Sequence, residues 1–160
     1  MTLWRRFRAM SIKQLLFLGV LFLKNPMLFL PTLKATKETL KTCNAHFGKM
    51  HQGNGIENAF RHALWNVKIC QNVRKMTKTV EKSVNWCQKV TNLYEKVTKN
   101  NSLDRAMDLH NNLIGRMLYF EDNMANFEEI LLKMMKKGQK IAKIDEIKLC
   151  PNQLVYISEA

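Results

Sequence analysis

Hydrophobic positions first run together along this chain and then spread into a helical period. Leu15 to Leu23 form an unbroken apolar run of nine residues, continued to Leu33 past Lys24, Asn25, Pro26 and Pro31. From Ala35 the pattern turns amphipathic, and "TKETLKTCNAHFGK" reads as a helix ending near Gly48, followed by a loop, "KMHQGNG". Asn54, with Glu57 three residues on, has the form of a capping box for a long helix reaching about Lys75. A third helix is expected from Thr79 to Val97, with Val80, Val84, Cys87, Tyr94 and Val97 on one face. "TKNNS" breaks it, and Asn101 or Ser102 can cap a fourth helix carrying "LDRAMDLHNNLIGR". A fifth, rich in Lys, covers roughly Glu121 to Lys137 and stops at Gly138, while "NQLVYISE" reads as a short strand or extended arm. The expected fold is all-α: one bundle of about five helices, with a hydrophobic segment at 1–34, a helical domain at 35–148 and an extended tail at 149–160.

Two helices carry unusual residues. At about 100° per residue, Asn58, Arg61, His62 and Trp65 share a sector of roughly 100°, opposite an apolar face of Ala59, Phe60, Ala63, Leu64, Val67 and Cys70. A solvated face rarely combines Trp65 and Ile69 with Asn58 and His62, so this face is expected to be covered by another helix or a ligand. On the fourth helix Leu103, Ala106, Met107, His110, Leu113, Ile114 and Met117 form one face with His110 near its centre. Asp108 falls nearly opposite His110, so the "DLH" triplet does not serve one ion, and the expected partners of His110 are His62 or Glu95 from neighbouring helices.

Composition changes this picture in three ways. Lys and Arg total 26 against 13 Asp and Glu, a net charge of +13, which implies attraction to an anionic partner, a solvated Lys-rich surface being the equal alternative on charge alone. The basic residues are spread along the chain, are not interleaved with aromatics and form no recognition motif, so an anionic membrane surface is expected rather than nucleic acid. Cys43, Cys70, Cys87 and Cys150 lie far apart with no C-x-x-C pair, consistent with reduced, buried thiols and a cytoplasmic setting. The basic start and apolar run resemble a signal peptide but lack an A-x-A-like cleavage site, and Met10 is an alternative start to Met1. A span needs about 20 mostly apolar residues, and the 15–33 window is interrupted and flanked by Lys on both sides. A helix broken at Pro26 and lying in the membrane interface is expected, on the cytoplasmic side of the inner membrane, the alternative being a helix buried in the domain's own core.

The candidate chemistry rests on a few side chains. His62, His110 and Glu95 are the candidate catalytic residues and the candidate ligands of a divalent metal, the cofactor that such a set would take. Arg61 and Arg116 are candidate phosphate clamps, with Asn58, Asn111 and Trp65 completing the substrate-binding set. Each has an ordinary structural alternative: a hydrogen-bonded core His, a paired Arg, an Asn bridging backbones, and Gly115 admitting a close helix contact. His46 and His51 flank the loop before the motif helix, but their spacing across a Gly-containing loop is weak evidence for zinc. No HExxH, GxSxG, P-loop or GxGxxG occurs.

"NAFRHALWN", Tyr94-Glu95 and "AMDLHNNLIGR" together resemble an uncharacterised family of bacterial helical domains, found alone and at the ends of large secreted Rhs-like proteins. The resemblance covers roughly residues 54–118. It implies functional weight for Asn58, Arg61, His62, Trp65, Glu95, Asp108, His110, Asn111, Gly115 and Arg116. Tyr94 stands where the pattern carries His, which argues against a metal ligand there. The resulting expectation is a membrane-associated hydrolase acting on a phosphate-bearing lipid or envelope precursor. The alternative is a non-enzymatic peripheral membrane or scaffold protein whose motif face is a structural hydrogen-bond network.

Overall fold

The computed structural model describes residues 12–98 and 101–158. The basic cluster at the start and the alternative start at Met10 lie outside these residues. Six α-helices are present among the described residues: α1 (Ile12–Leu23), α2 (Pro26–Phe47), α3 (Ile56–Thr77), α4 (Val80–Val97), α5 (Ser102–Glu121) and α6 (Phe127–Met135). Two short strands, β1 (Gln139–Lys140) and β2 (Val155–Tyr156), pair in parallel beside the bundle. The fold is an all-α bundle with a short extended tail.

Helix α3 is the hub, with α2, α4, α5 and α6 all packed on it. Phe60 and Leu64 are fully buried on its apolar side, each contributing roughly 1.5–3 kcal/mol by leaving water. Asn58, Arg61 and His62 are buried as well, so both faces of this helix are covered. Gly115 on α5 makes one of these contacts possible: a Cβ there would lie 2.1 Å from the carbonyl oxygen of Ala63. Only a residue without a side chain lets the two backbones approach so closely.

Helix ends follow their local chemistry. Thr79 and Asn101 cap α4 and α5 by accepting the N–H of Lys82 and Asp104. Asn54 does not cap α3, contrary to expectation. Its amide reaches Asp104 at 3.1 Å and its carbonyl accepts the N–H groups of Ile157 and Ser158, leaving Gly55 as N-cap without a side-chain bond. Helix α6 starts later than expected because Asp122 accepts the Met124 N–H and Asn126 caps at Glu129, turning the chain before the helix begins.

The apolar start folds back as two helices broken at Lys24 and Asn25, with Pro31 inside the second. Phe22 of α1 packs edge-on against Phe29 and Trp86, and Leu18 is buried. Thr32 and Thr36 of α2 accept the indole N–H groups of Trp86 and Trp65, each at 3.0 Å. The other face is open, with Leu16, Phe17, Val20, Leu23, Met27 and Leu30 exposed. No helix among the described residues is long and apolar enough to cross a membrane.

Candidate functional site: a buried polar seam

Three rows of side chains with a four-residue period meet where α3, α4 and α5 pack. They are Asn58, His62 and Asn66 on α3, Asp108, Asn112 and Arg116 on α5, and Cys87, Thr91 and Glu95 on α4, all buried. A four-residue step returns to nearly the same side of a helix, so each row is a stripe. Helices α3 and α5 run in the same direction and match in register: Asn58 to Asp108 at 3.4 Å, His62 to Asn112 at 3.2 Å, Asn66 to Arg116 at 2.9 Å. Helix α4 runs the opposite way along them.

At one end Asn66 organises the seam. Its Nδ2 donates to Asn112 Oδ1 (2.6 Å) and to the His62 carbonyl (2.9 Å). Its Oδ1 accepts from Arg116 Nη1, from the Cys87 thiol at 3.0 Å and from Thr91 Oγ1 at 3.3 Å. Arg116 donates to Thr91 Oγ1 as well, and burial lowers the pKa of its guanidinium. This end is neutral apart from Arg116 and closely bonded.

The other end is crowded with acceptors. His62 Nδ1 lies 3.4 Å from Glu95 Oε1, and its Nε2 lies 3.2 Å from Asp108 Oδ1. Arg61 Nη2 donates to His62 Nε2 at 2.8 Å, while its Nη1 donates to the His51 carbonyl. Asn112 Nδ2 donates to Glu95 Oε1 at 3.1 Å. Glu95 Oε2 and Asn58 Oδ1 are buried without a hydrogen-bond partner. Burial and the Asp108 charge push the Glu95 carboxyl up to about 8, against the opposing pull of Asn112, Arg61 and Arg105. His62, Glu95 and Asp108 each offer one ligand atom, all within 4.8 Å of one another.

Of the residues singled out in the sequence, Asn58, Arg61, His62 and Glu95 meet at this end, and Arg116 sits at the other. His110 and Asn111 do not join them. His110 Nε2 bonds the Gln153 carbonyl, and Asn111 brackets Val155, donating to its carbonyl and accepting its N–H. Residues 108 and 110 lie on nearly opposite sides of one helix, so only one can face the seam, and Asp108 takes that place. The expected meeting of His110 with His62 or Glu95 is therefore not formed, and Leu113 is exposed rather than packed. His46 pairs with Glu128 and His51 with Asn44, so the two do not form a zinc pair with each other. Asn66, Thr91 and Asn112 were not singled out as site residues from the sequence. The four-residue recurrences Asn58-His62-Asn66, Cys87-Thr91-Glu95 and Asp108-Asn112-Arg116 were the signal that finds them.

A cavity of about 100 Å³ lies between the charged end and the N-terminal helices. Leu18, Phe22, Phe29, Leu33 and Leu40 make its wall apolar, and Arg61, His62, Trp65 and Tyr94 close it at the seam. Trp65 and Tyr94 stand edge-on, 5.2 Å between centroids. Arg61 and His62 therefore border both the cavity and the seam, with Glu95 and Asp108 directly against His62.

Fold and site define a class of protein: a helical bundle with a buried polar seam whose charged end adjoins an apolar cavity. The chain matches the family described as "Domain of unknown function (DUF6973)" over residues 19–143, and it belongs to that family. No curated protein and no solved structure matches it.

Proposed function

We propose that the protein is a membrane-associated hydrolase acting on a phosphate-bearing lipid or envelope precursor. The observation that carries this reading is the apolar cavity ending on Arg61 and His62, with two buried carboxylates directly behind. Arg61 supplies the guanidinium for a phosphate, and His62 is the base that takes a proton from an attacking water. The water oxygen bonds to phosphorus, the ester oxygen leaves, and His62 returns the proton to it. Asp108 and Glu95 are positioning residues that set the orientation and basicity of the imidazole.

Cavity size and surface agree with a substrate that stays in the bilayer. A space of about 100 Å³ is well below the ~300–1,000 Å³ of a pocket enclosing a whole ligand. It holds only the segment next to the phosphate. Leu16, Phe17, Val20, Leu23, Met27 and Leu30 supply an exposed apolar face, and exposed Lys24, Lys34, Lys37 and Lys41 flank it, suiting an anionic bilayer. Buried free thiols at Cys70, Cys87 and Cys150 suit the cytoplasmic side of the inner membrane.

The close bonding around Asn66 favours a second reading, a peripheral or scaffold protein whose seam is structural throughout. One experiment separates the two. The protein is incubated with vesicles containing phosphatidic acid, phosphatidylglycerol or a polyprenyl diphosphate, and products are followed by mass spectrometry. The hydrolase reading expects turnover that falls at least about 100-fold in His62→Gln, which keeps its wild-type melting curve. No product from any of these lipids, with His62→Gln only less stable, overturns it in favour of the structural reading.

A further inference from the structure

At the charged end of the seam two carboxylates crowd around one imidazole. A neutral imidazole carries one N–H, yet the two nitrogens of His62 face Glu95 on one side and Asp108 on the other. Arg61 already donates toward Nε2. Glu95 is fully buried, and its Oε2 has no hydrogen-bond partner. Asn58 is also buried and reaches Asp108 through Nδ2, while its Oδ1 has none. Buried polar atoms are nearly always paired, so two orphaned oxygens beside three converging ligand groups mark a place where a positive centre belongs.

We propose that His62, Glu95 and Asp108 bind one divalent transition-metal ion, with the Asn58 amide oxygen adjoining it. The ligand atoms lie within 4.8 Å of one another. Ligands each about 2.1 Å from a shared ion stand at most about 4.2 Å apart, so small side-chain rotations close the site. One imidazole with carboxylate oxygens is a mixed nitrogen and oxygen set, which suits Mn²⁺ or Zn²⁺ better than the all-oxygen preference of Mg²⁺ or Ca²⁺. Asn112 fits the arrangement as the outer partner, donating to Glu95 from behind. The site uses Asp108 and leaves His110 to the tail. It stands on this geometry alone and holds whether or not the centre hydrolyses a lipid; with an ion bound, the His62 lone pair serves as its ligand and not as the proton acceptor.

The test uses the full chain, stripped with a chelator and free of any affinity tag that binds metal. Mn²⁺ and Zn²⁺ are titrated by calorimetry and by thermal melting. The expected result is one equivalent bound with a raised melting temperature. Glu95→Gln and Asp108→Asn should weaken binding more than about 100-fold, since loss of an outer partner alone costs about 10–100-fold. His110→Ala should bind as the wild type does. No binding by the wild type at millimolar metal overturns the proposal, as does undiminished binding in both isosteric variants. Should those variants fold poorly, Mn²⁺-induced NMR line broadening in the wild type locates the ion. Broadening centred on the Ala63 and Asn112 amides supports the site, and broadening centred on His46 overturns it.

Discussion

The two ends of the seam are built from the same three helices and the same four-residue period, yet they are opposites. Around Asn66 no buried side-chain polar atom of the described residues lacks a partner, and the single charge, Arg116, is held by an amide and a hydroxyl. Around His62 two carboxylates share one imidazole and the amides of Asn58 and Asn112, Arg61 donates to the imidazole, and two buried oxygens are left over. A satisfied network specifies packing, whereas an under-satisfied one is retained at a cost and marks a place where a ligand acts. The comparison assigns structure to one end and chemistry to the other, and it can be broken by measurement.

The largest effect is expected where both ends depend on the same contact. Gly115→Ala places a methyl group against the Ala63 backbone and forces α3 and α5 apart along the whole seam. A loss of more than about 4 kcal/mol, or failure to fold, is expected in urea denaturation, because backbone cannot move aside as a side-chain tip can. A stable Gly115→Ala protein would mean that the helices are not held at this distance.

Next comes the satisfied end. Asn66→Leu keeps the volume but removes the acceptor shared by Arg116, Thr91 and Cys87, leaving a buried guanidinium with only Thr91. A loss of about 3 kcal/mol is expected. The double variant Asn66→Leu with Arg116→Met should recover part of it, because the unpaired charge goes with the arginine. Additive losses would show that charge pairing is not what holds this end.

A smaller effect is expected outside the seam, on the other side of α5. Asn111→Ala removes both bonds to Val155 and should cost about 2 kcal/mol, with earlier protease cleavage in residues 149–160. His110→Ala loses one bond to Gln153 and should cost about 1 kcal/mol. Neither should change metal binding at the charged end. If either does, the tail and the seam are coupled in a way the hydrogen bonds do not indicate.

These cases show what the sequence could and could not convey. Helix order, the cap at Asn101, and the covered face of α3 were legible, because periodicity and capping are local. The membership of the site was only half legible. The helical wheel excluded His110 and Asp108 from a shared ion, but it could not say which of the two turned inward. The apolar face through Met107 and Ile114 made His110 the natural choice, yet α5 is buried on both sides, and its polar stripe was the one facing α3. Burial on both sides comes from tertiary packing around a central helix, which no single period reports. Asn54 failed as a cap for the same reason: its partners, Asp104 and the tail, are distant in sequence.

The smallest expected effect decides most about the charged end, because its sign is reversed. Glu95→Gln keeps the shape of the side chain and removes a carboxyl group that burial and the Asp108 charge both disfavour as an anion. In metal-stripped protein at pH 7 the variant should equal the wild type or gain about 1 kcal/mol in urea denaturation, since a neutral amide relieves that conflict and adds donors among excess acceptors. Asn66→Leu, at the other end, removes a satisfied partner and should lose stability. With saturating Mn²⁺ or Zn²⁺ the order should invert, because only the wild type gains the free energy of binding. A loss of about 3 kcal/mol from Glu95→Gln without metal would instead place Glu95 in a satisfied network like that around Asn66. The two ends would then be one structural device, and the contrast between them would fall.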